Sequence, residues 1–243
     1  TAYATGRMVR FLAKVYSSKK GILSVDLGAS AAIISAGFSD KSTLNVYPQF
    51  GLGENLTGLL NFTKLEDILR WSSLDVSPGV LRDYMYQKAL YPSAIAATKE
   101  DLAISQAIAR QALYLAMQSA RRDFPRNVAG IKPTLTPLFE PILAGGGALS
   151  DASRPGQGLL LLLDSIQPVG VTTLIIDQNN LLPLLGVTAS QNNILPVQVL
   201  ESGAFLSVGT VVAPVVSAAY GTPILRATLT YENGTESRMD LKY

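Results

Sequence analysis

Two apolar, β-branched runs stand almost end to end near the start of this chain: Gly21-Ile22-Leu23-Ser24-Val25 and Ala31-Ala32-Ile33-Ile34-Ser35-Ala36-Gly37-Phe38. Only Asp26-Leu27-Gly28-Ala29-Ser30 lies between them. Strand patterns joined by so short a Gly-bearing turn fold as antiparallel neighbours, which commits this region to a sheet. The turn has no bulky side chain, so its backbone N–H groups can approach an anion closely. An Asp at a strand end can hold Mg²⁺, usually through water. An ordinary hairpin uses the same residues, so the turn by itself leaves both readings open.

A polar turn, Ser39-Asp40-Lys41-Ser42, leads to a third strand pattern at Leu44-Asn45-Val46-Tyr47. Three short strands in succession predict an antiparallel meander. Before it, residues 1–16 read as a helix, with Met8, Phe11, Leu12 and Val15 on one stripe and Arg7, Arg10 and Lys14 opposite. Lys19-Lys20-Gly21 ends that helix.

Helices follow. Thr63-Lys64-Leu65-Glu66 has capping-box spacing for a helix through Trp71. Ser77-Pro78 is an N-cap followed by Pro at the first helical position, for a helix through Leu90. Thr98-Lys99-Glu100-Asp101 opens the longest helix, to about Arg122, with Leu102, Ile104, Ile108, Leu113, Leu115 and Met117 on its apolar stripe. Tyr84, Tyr86 and Tyr91 read as core and rim, since no basic groove accompanies them. Arg121, Arg122 and Arg126 suit a helix C-terminus. Beyond them come a strand at 139–144, a short helix at 157–166, a strand at 171–177, two short helices around Pro183 and Pro196, and strands at 205–212, 224–231 and 238–243.

Two more Gly-bearing stretches punctuate this order. Gly51-Leu52-Gly53-Glu54 opens a helical pattern with Leu56, Leu59 and Leu60 inward. Gly145-Gly146-Gly147-Ala148 follows a strand and precedes a helix. Bare backbone there admits a flat ligand, and the next helix start offers N–H groups. A tight strand-to-helix turn is the plainer alternative.

Composition narrows the chemistry. The chain has no Cys and no His. Thiol catalysis, disulfides, Cys/His zinc sites and His general bases are therefore excluded, and a metal would need oxygen ligands. Lack of Cys fits a cytoplasmic protein. A net charge of +2 argues for no nucleic acid partner. Residues 202–225 carry no charge, but Pro214, Pro223 and three Gly break them into strand-like runs, so two buried strands rather than a membrane span are expected. The charge-poor residues 127–200 suggest a surface covered by another domain or subunit. Thr1 begins inside a helical pattern with no charged-then-apolar leader, which reads as a piece of a longer protein.

Three antiparallel strands, then alternating helices and strands, is the element order of an α/β, ribonuclease-H-like half-domain, here with a β-rich C-terminal extension. The order resembles the second half of the actin, sugar kinase and heat-shock-chaperone ATPase superfamily. Asp26-Leu27-Gly28-Ala29-Ser30 resembles its second phosphate turn, Gly51-Leu52-Gly53-Glu54 its Gly-Gly-Glu segment, and Leu143-Ala144-Gly145-Gly146-Gly147-Ala148 its adenosine motif. Within that superfamily the chain is similar to the MutL accessory proteins of adenosylcobalamin-dependent glutamate mutase. Gly6-Arg7-Met8-Val9-Arg10-Phe11, Tyr47-Pro48-Gln49-Phe50 and Asp164-Ser165-Ile166-Gln167-Pro168-Val169-Gly170 add to the likeness.

The resemblance implies a part of a reactivating, chaperone-type ATPase acting on a cobalamin-dependent mutase. ATP and Mg²⁺ are expected in the intact parent, together with a missing N-terminal half. It implies an ATPase-type unit over residues 1–200, with 1–18 the connecting helix, and a β-rich extension or the start of a further domain over 201–243. Asp26 would hold Mg²⁺ through water; Gly28, Ala29 and Ser30 would hold phosphate; Gly53 and Glu54 would support the site. Gly145, Gly146, Gly147 and Ala148 would pack on adenosine. No catalytic base is assignable, so the chain by itself is not expected to turn over ATP. Ala29 stands where the superfamily has a second Gly, and Ala31 and Ala32 where it has a hydroxyl. Those departures favour an alternative, a non-hydrolysing interaction module that keeps the fold. Half of a small-molecule kinase is a third reading.

Overall fold

The computed structural model describes residues 1–16, 20–124, 135–150 and 154–243. Lys19 and Arg126, and the end of the helix expected over 1–18, lie outside the described residues.

The meander forms as expected. Strand β1 (Gly21–Leu27) pairs antiparallel with β2 (Ala32–Gly37), and β2 with β3 (Ser42–Tyr47). On its other edge β1 pairs in parallel with β4 (Phe139–Gly145), which pairs in parallel with β5 (Gly170–Ile176). Strand β6 (Leu206–Ala213) closes the far side antiparallel to β5, giving a six-stranded sheet of order β3-β2-β1-β4-β5-β6. This is an α/β fold with the element order expected of a ribonuclease-H-like half-domain. Two further strands, β7 (Pro223–Thr230) and β8 (Glu236–Lys242), form a separate ribbon.

Central strands covered on both faces read as continuous apolar runs. Six of the seven residues of β1 are buried, Asp26 being the exception. Leu23, Val25 and Leu27 face the larger core, which includes Ile68, Leu81, Ile104, Leu113 and Leu162. These come from α2 (Leu65–Leu69), α3 (Pro78–Leu90), α4 (Lys99–Ala120) and α6 (Pro155–Ile166). Ile22 and Leu143 face the smaller core, with Met8 and Leu12 of α1 (Ala2–Tyr16) and Leu182 and Leu185 of α7 (Leu181–Thr188). Helix α8 (Ile194–Glu201) follows α7.

Helix α1 lies on β2, and α7 crosses α1 so closely that a methyl at Gly186 would stand 1.8 Å from the Ala4 carbonyl oxygen. The stripe read for α1 holds at Met8 and Leu12, both buried; Val15 is exposed. It falls in the last turn of the helix.

The predicted caps hold at α3 and α4. The Val80 N–H donates to Ser77 Oγ at 3.3 Å. Thr98 and Asp101 cap each other through reciprocal bonds of 3.0 Å. At α2 the box moves by one residue. Lys64 is the N-cap, its N–H donates to Asp67 Oδ2 at 3.2 Å, and the helix ends at Leu69 rather than Trp71. Trp71 instead donates through Nε1 to Gln111 Oε1 at 2.7 Å, while Gln111 Nε2 donates to Thr63 Oγ1 at 2.8 Å. That network fixes α2 to the middle of α4.

Two arginines tie α4 to its neighbours. Arg110 Nε donates to Asp164 Oδ2 of α6 at 2.7 Å. Arg121 donates to Thr136 Oγ1 and to the Ile166 carbonyl at the end of α6, 2.8 and 3.2 Å away. The basic cluster thus serves helix termini at Arg121, as charge at a helix C-terminus should. Residues 202–225 form β6 and the start of β7, but not as the buried strands expected: β6 closes the sheet as an edge and β7 lies in the separate ribbon, and neither holds a buried residue. Among the described residues no helix is long and apolar enough to cross a membrane.

Candidate functional site

In a parallel sheet, ligands gather outside the C-terminal ends of the strands. Here β1, β4 and β5 end side by side. Asp26 of β1 stands opposite Gly145 of β4, and the Asp177 N–H beyond β5 donates to the Ala144 carbonyl at 2.7 Å. All three Gly-bearing stretches meet at this edge.

The turn after β1 is set by its own backbone. The Gly28 N–H donates to the Ala31 carbonyl at 3.1 Å. The stretch after β3 braces it from outside: the Leu52 and Gly53 N–H groups donate to the Gly28 and Ala29 carbonyls, at 3.1 and 2.8 Å. Such close approach needs glycine. A Cβ at Gly51 would sit 2.5 Å from the Ala29 oxygen, and one at Gly53 would sit 2.9 Å from it and 3.1 Å from the Ala29 methyl. The Ala29 methyl therefore rests beside Gly53. Ala29 and Ser30 are exposed, and their N–H groups donate to no described acceptor.

Gly146 has φ +87°, in the left-handed region that glycine tolerates. Its Cα faces β1 directly, since a Cβ there would lie 2.5 Å from Asp26 Oδ1 and from the Leu27 carbonyl oxygen. The chain then turns into α5 (Gly147–Ser150), with Gly147 exposed.

A cavity of about 530 Å³ opens beside these turns, within the size range of small-molecule sites. Gly28, Ala29, Gly147 and Ala148 form its floor. Its apolar walls include Leu27, Leu52, Leu56, Ile95, Ile108 and Leu161, and its polar groups are Tyr84, Lys88, Ser105, Gln106 and Gln157. Gln157 Oε1 is buried and accepts no hydrogen bond among the described residues. Lys88 Nζ donates to the Ala94 carbonyl at the cavity mouth, and burial lowers its pKa. Burial also raises the Tyr84 pKa, against a bond to Ser105 that lowers it. Tyr84 is thus a wall of the site, while Tyr86 and Tyr91 are exposed.

Asp26 is half-buried, and its carboxylate makes no hydrogen bond or ion pair with a described residue. Its pKa is raised, first by burial and then by the charge of Asp177. Asp177 is itself buried and committed elsewhere, accepting from the Leu181 and Leu182 N–H groups at 2.9 and 2.8 Å to cap α7. Among the described residues no group of three or more acids could hold a metal unaided. A single free carboxylate is the donor set that suits Mg²⁺ bound with its waters and a substrate's phosphates.

Of the residues singled out in the sequence, Gly28, Ala29, Gly147 and Ala148 reach the cavity, Asp26, Gly145 and Gly146 stand immediately behind its floor, and Ser30 is exposed beside Ala29 without lining it. Gly53 supports the turn from outside, and Glu54 points to solvent without lining the cavity. The pattern after Glu54 is a 3-10 turn (Leu56–Asn61) rather than an α-helix; Leu56 and Leu59 are buried and Leu60 is half-buried. Lys88, Gln106 and Gln157, which line the cavity, and Asp177 beside Asp26 are site residues that the sequence did not single out. Asp177 carried a signal: like Asp26, it ends an apolar β-branched strand.

A protein-family profile described as MutL protein matches residues 1–203. No curated protein matches the chain.

Proposed function

The chain belongs to the MutL protein family, and from that premise we propose that it forms the nucleotide-binding half of an ATP-dependent accessory protein with an actin-like ATPase fold. The observation that carries this reading is the meeting of two bare-backbone turns on one cavity floor, with an unpaired carboxylate behind it. The Ala29 and Ser30 N–H groups are available to a phosphate. The apolar walls around Ile95, Ile108 and Leu161 suit a flat base, and Gln157 Oε1 offers an acceptor to an amino group. Asp26 would hold a Mg²⁺ hydration shell, while Gly146 keeps the chain from closing over that carboxylate. Mg²⁺ supplies charge stabilisation to phosphoryl transfer when it is bound.

Among the described residues no group is placed to activate water. Chemistry at the site therefore needs a second half, which we take to be part of the same protein. In this reading the client is a cobalamin-dependent mutase. A second reading, a module that binds partners without turnover, is favoured by Ala32. That residue is fully buried within β2 and offers no hydroxyl where the superfamily has one.

Calorimetric titration of Mg-ATP into the full-length protein tests the proposal. Saturable binding that weakens in Asp26→Ala and on removal of Mg²⁺ is expected. Absence of heat, together with an unchanged melting temperature in excess nucleotide, would overturn it and leave the binding module.

A further inference from the structure

The ribbon after β6 has no part in the nucleotide reading, and no described residue pairs with its edges. Strands β7 and β8 pair only with each other among the described residues. Two strands alone are marginal in water and call for further pairing. The Tyr231 N–H donates to the Thr235 carbonyl at 2.9 Å. From that bonded pair an antiparallel ladder alternates, so Leu229/Ser237, Ala227/Met239 and Leu225/Leu241 exchange bonds across the ribbon. Glu236, Arg238 and Asp240 therefore turn their N–H and C=O groups to the open edge of β8. With Lys242 they also carry charges of alternating sign along one face.

We propose that this edge binds a second copy of itself, β8 against β8, antiparallel about a two-fold axis at Met239. Only the even-numbered residues present backbone groups outward, so they must pair with one another. With the axis at Met239, Glu236 faces the partner's Lys242 and Arg238 faces the partner's Asp240, and symmetry repeats both pairs. Every facing charge is then opposite, the arrangement that stabilises cross-strand neighbours.

Moving the axis by one residue sets Arg238 against the partner's Arg238, or Asp240 against the partner's Asp240. Moving it to Ser237 or Leu241 halves the number of pairs. The charges thus select one register and penalise its neighbours. The open edge of β7, with Ile224, Arg226, Thr228 and Thr230 outward, carries no such pattern. Arg226 already meets Asp240 within one copy at 3.0 Å, so pairing would extend a row of alternating charge across three strands, from Arg226 through Asp240 to the partner's Arg238, with the partner's uncharged Thr228 on the fourth. On the opposite face Met239 would meet the partner's Met239, with Ala227 of each copy beside it, while Leu241 would face the partner's Ser237.

The mass of the chain in solution, measured by sedimentation equilibrium, is the test. The unaltered chain should show twice 25.9 kDa. Glu236→Lys and Lys242→Glu should each show the single mass, because each sets like charges face to face. An equal mixture of the two variants should recover the double mass, since every facing pair is then again of opposite sign. That recovery also shows both variants to be folded. A monomeric unaltered chain, variants that dimerise alone, or a mixture that stays monomeric would each overturn the proposal.

Discussion

Replacing Gly146 by Ala should cost far more than its one methyl suggests. Two penalties add. A residue with a Cβ in the left-handed region costs about 1–2 kcal/mol, and Gly146 has φ +87°. The methyl would also be driven to 2.5 Å from both Asp26 Oδ1 and the Leu27 carbonyl oxygen. The first of these can rotate away, but the second is the end of a central strand. Forcing atoms into so filled a space costs about 1–3 kcal/mol. A central value of about 3 kcal/mol corresponds, for a chain of this size, to a fall in melting temperature of roughly 6–12 °C. Gly156→Ala is the control: nothing lies within 4 Å of its added methyl, and it occupies the first turn of α6, where Ala gains up to about 1 kcal/mol over Gly. Thermal and urea unfolding of both variants decide the matter. A Gly146→Ala loss under about 1 kcal/mol, or equal to the control, would refute the claim that the third Gly-bearing turn is pressed against the end of β1.

Asp26→Asn should stabilise the protein at neutral pH. Burial and then Asp177 raise the Asp26 pKa above 3.8, so the folded state holds that proton more tightly than the unfolded chain. The stability it contributes is present below the unfolded value and lost as pH rises through the folded one. Melting curves from acid to neutral pH should show the Asn variant gaining as pH rises and matching the parent near pH 3.8; a gain that grows toward acid would contradict this. Arg110→Ala should cost about 1.5–3 kcal/mol in urea unfolding, because it removes a charged hydrogen bond of 2.7 Å. A double-mutant cycle with Asp164→Ala should assign most of that loss to the pair. Gly186→Ala should separate α1 from α7, since its methyl would meet the Ala4 oxygen at 1.8 Å. A loss of about 3 kcal/mol is expected from overpacking, and a change under 1 kcal/mol would mean that the two helices do not touch there.

What was legible in the sequence was local. The meander announced itself because its turns are short and its strands β-branched. Helices α3 and α4 announced themselves because a cap needs only residues three apart, Ser77 with Val80 and Thr98 with Asp101. The shift of the α2 box to Lys64 and Asp67 has a different cause: Thr63 is engaged by Gln111, far along the chain. The floor of the site could be read because glycine marks close approach. Its walls could not. Lys88, Gln106 and Gln157 belong to three different helices, and nothing in their local sequence says that these helices converge. Asp177 lies far from Asp26 in the chain, and only the parallel register through β4 brings its charge to bear.

That register also governs how the molecule can be made. Ser24 finds its antiparallel partner at Ser35, a short distance along the chain, but its parallel partner only at Leu143. During synthesis, hairpin closure takes microseconds, whereas the nascent chain grows by about 5–20 residues per second. The meander and α1 can therefore assemble while the inner edge of β1 waits several seconds for β4 to emerge. For that interval a strand that will be almost wholly buried in the finished sheet is an open template. The step at which this fold is most exposed to mispairing is thus set by the length of the α2–α4 insertion rather than by the stability of the finished sheet.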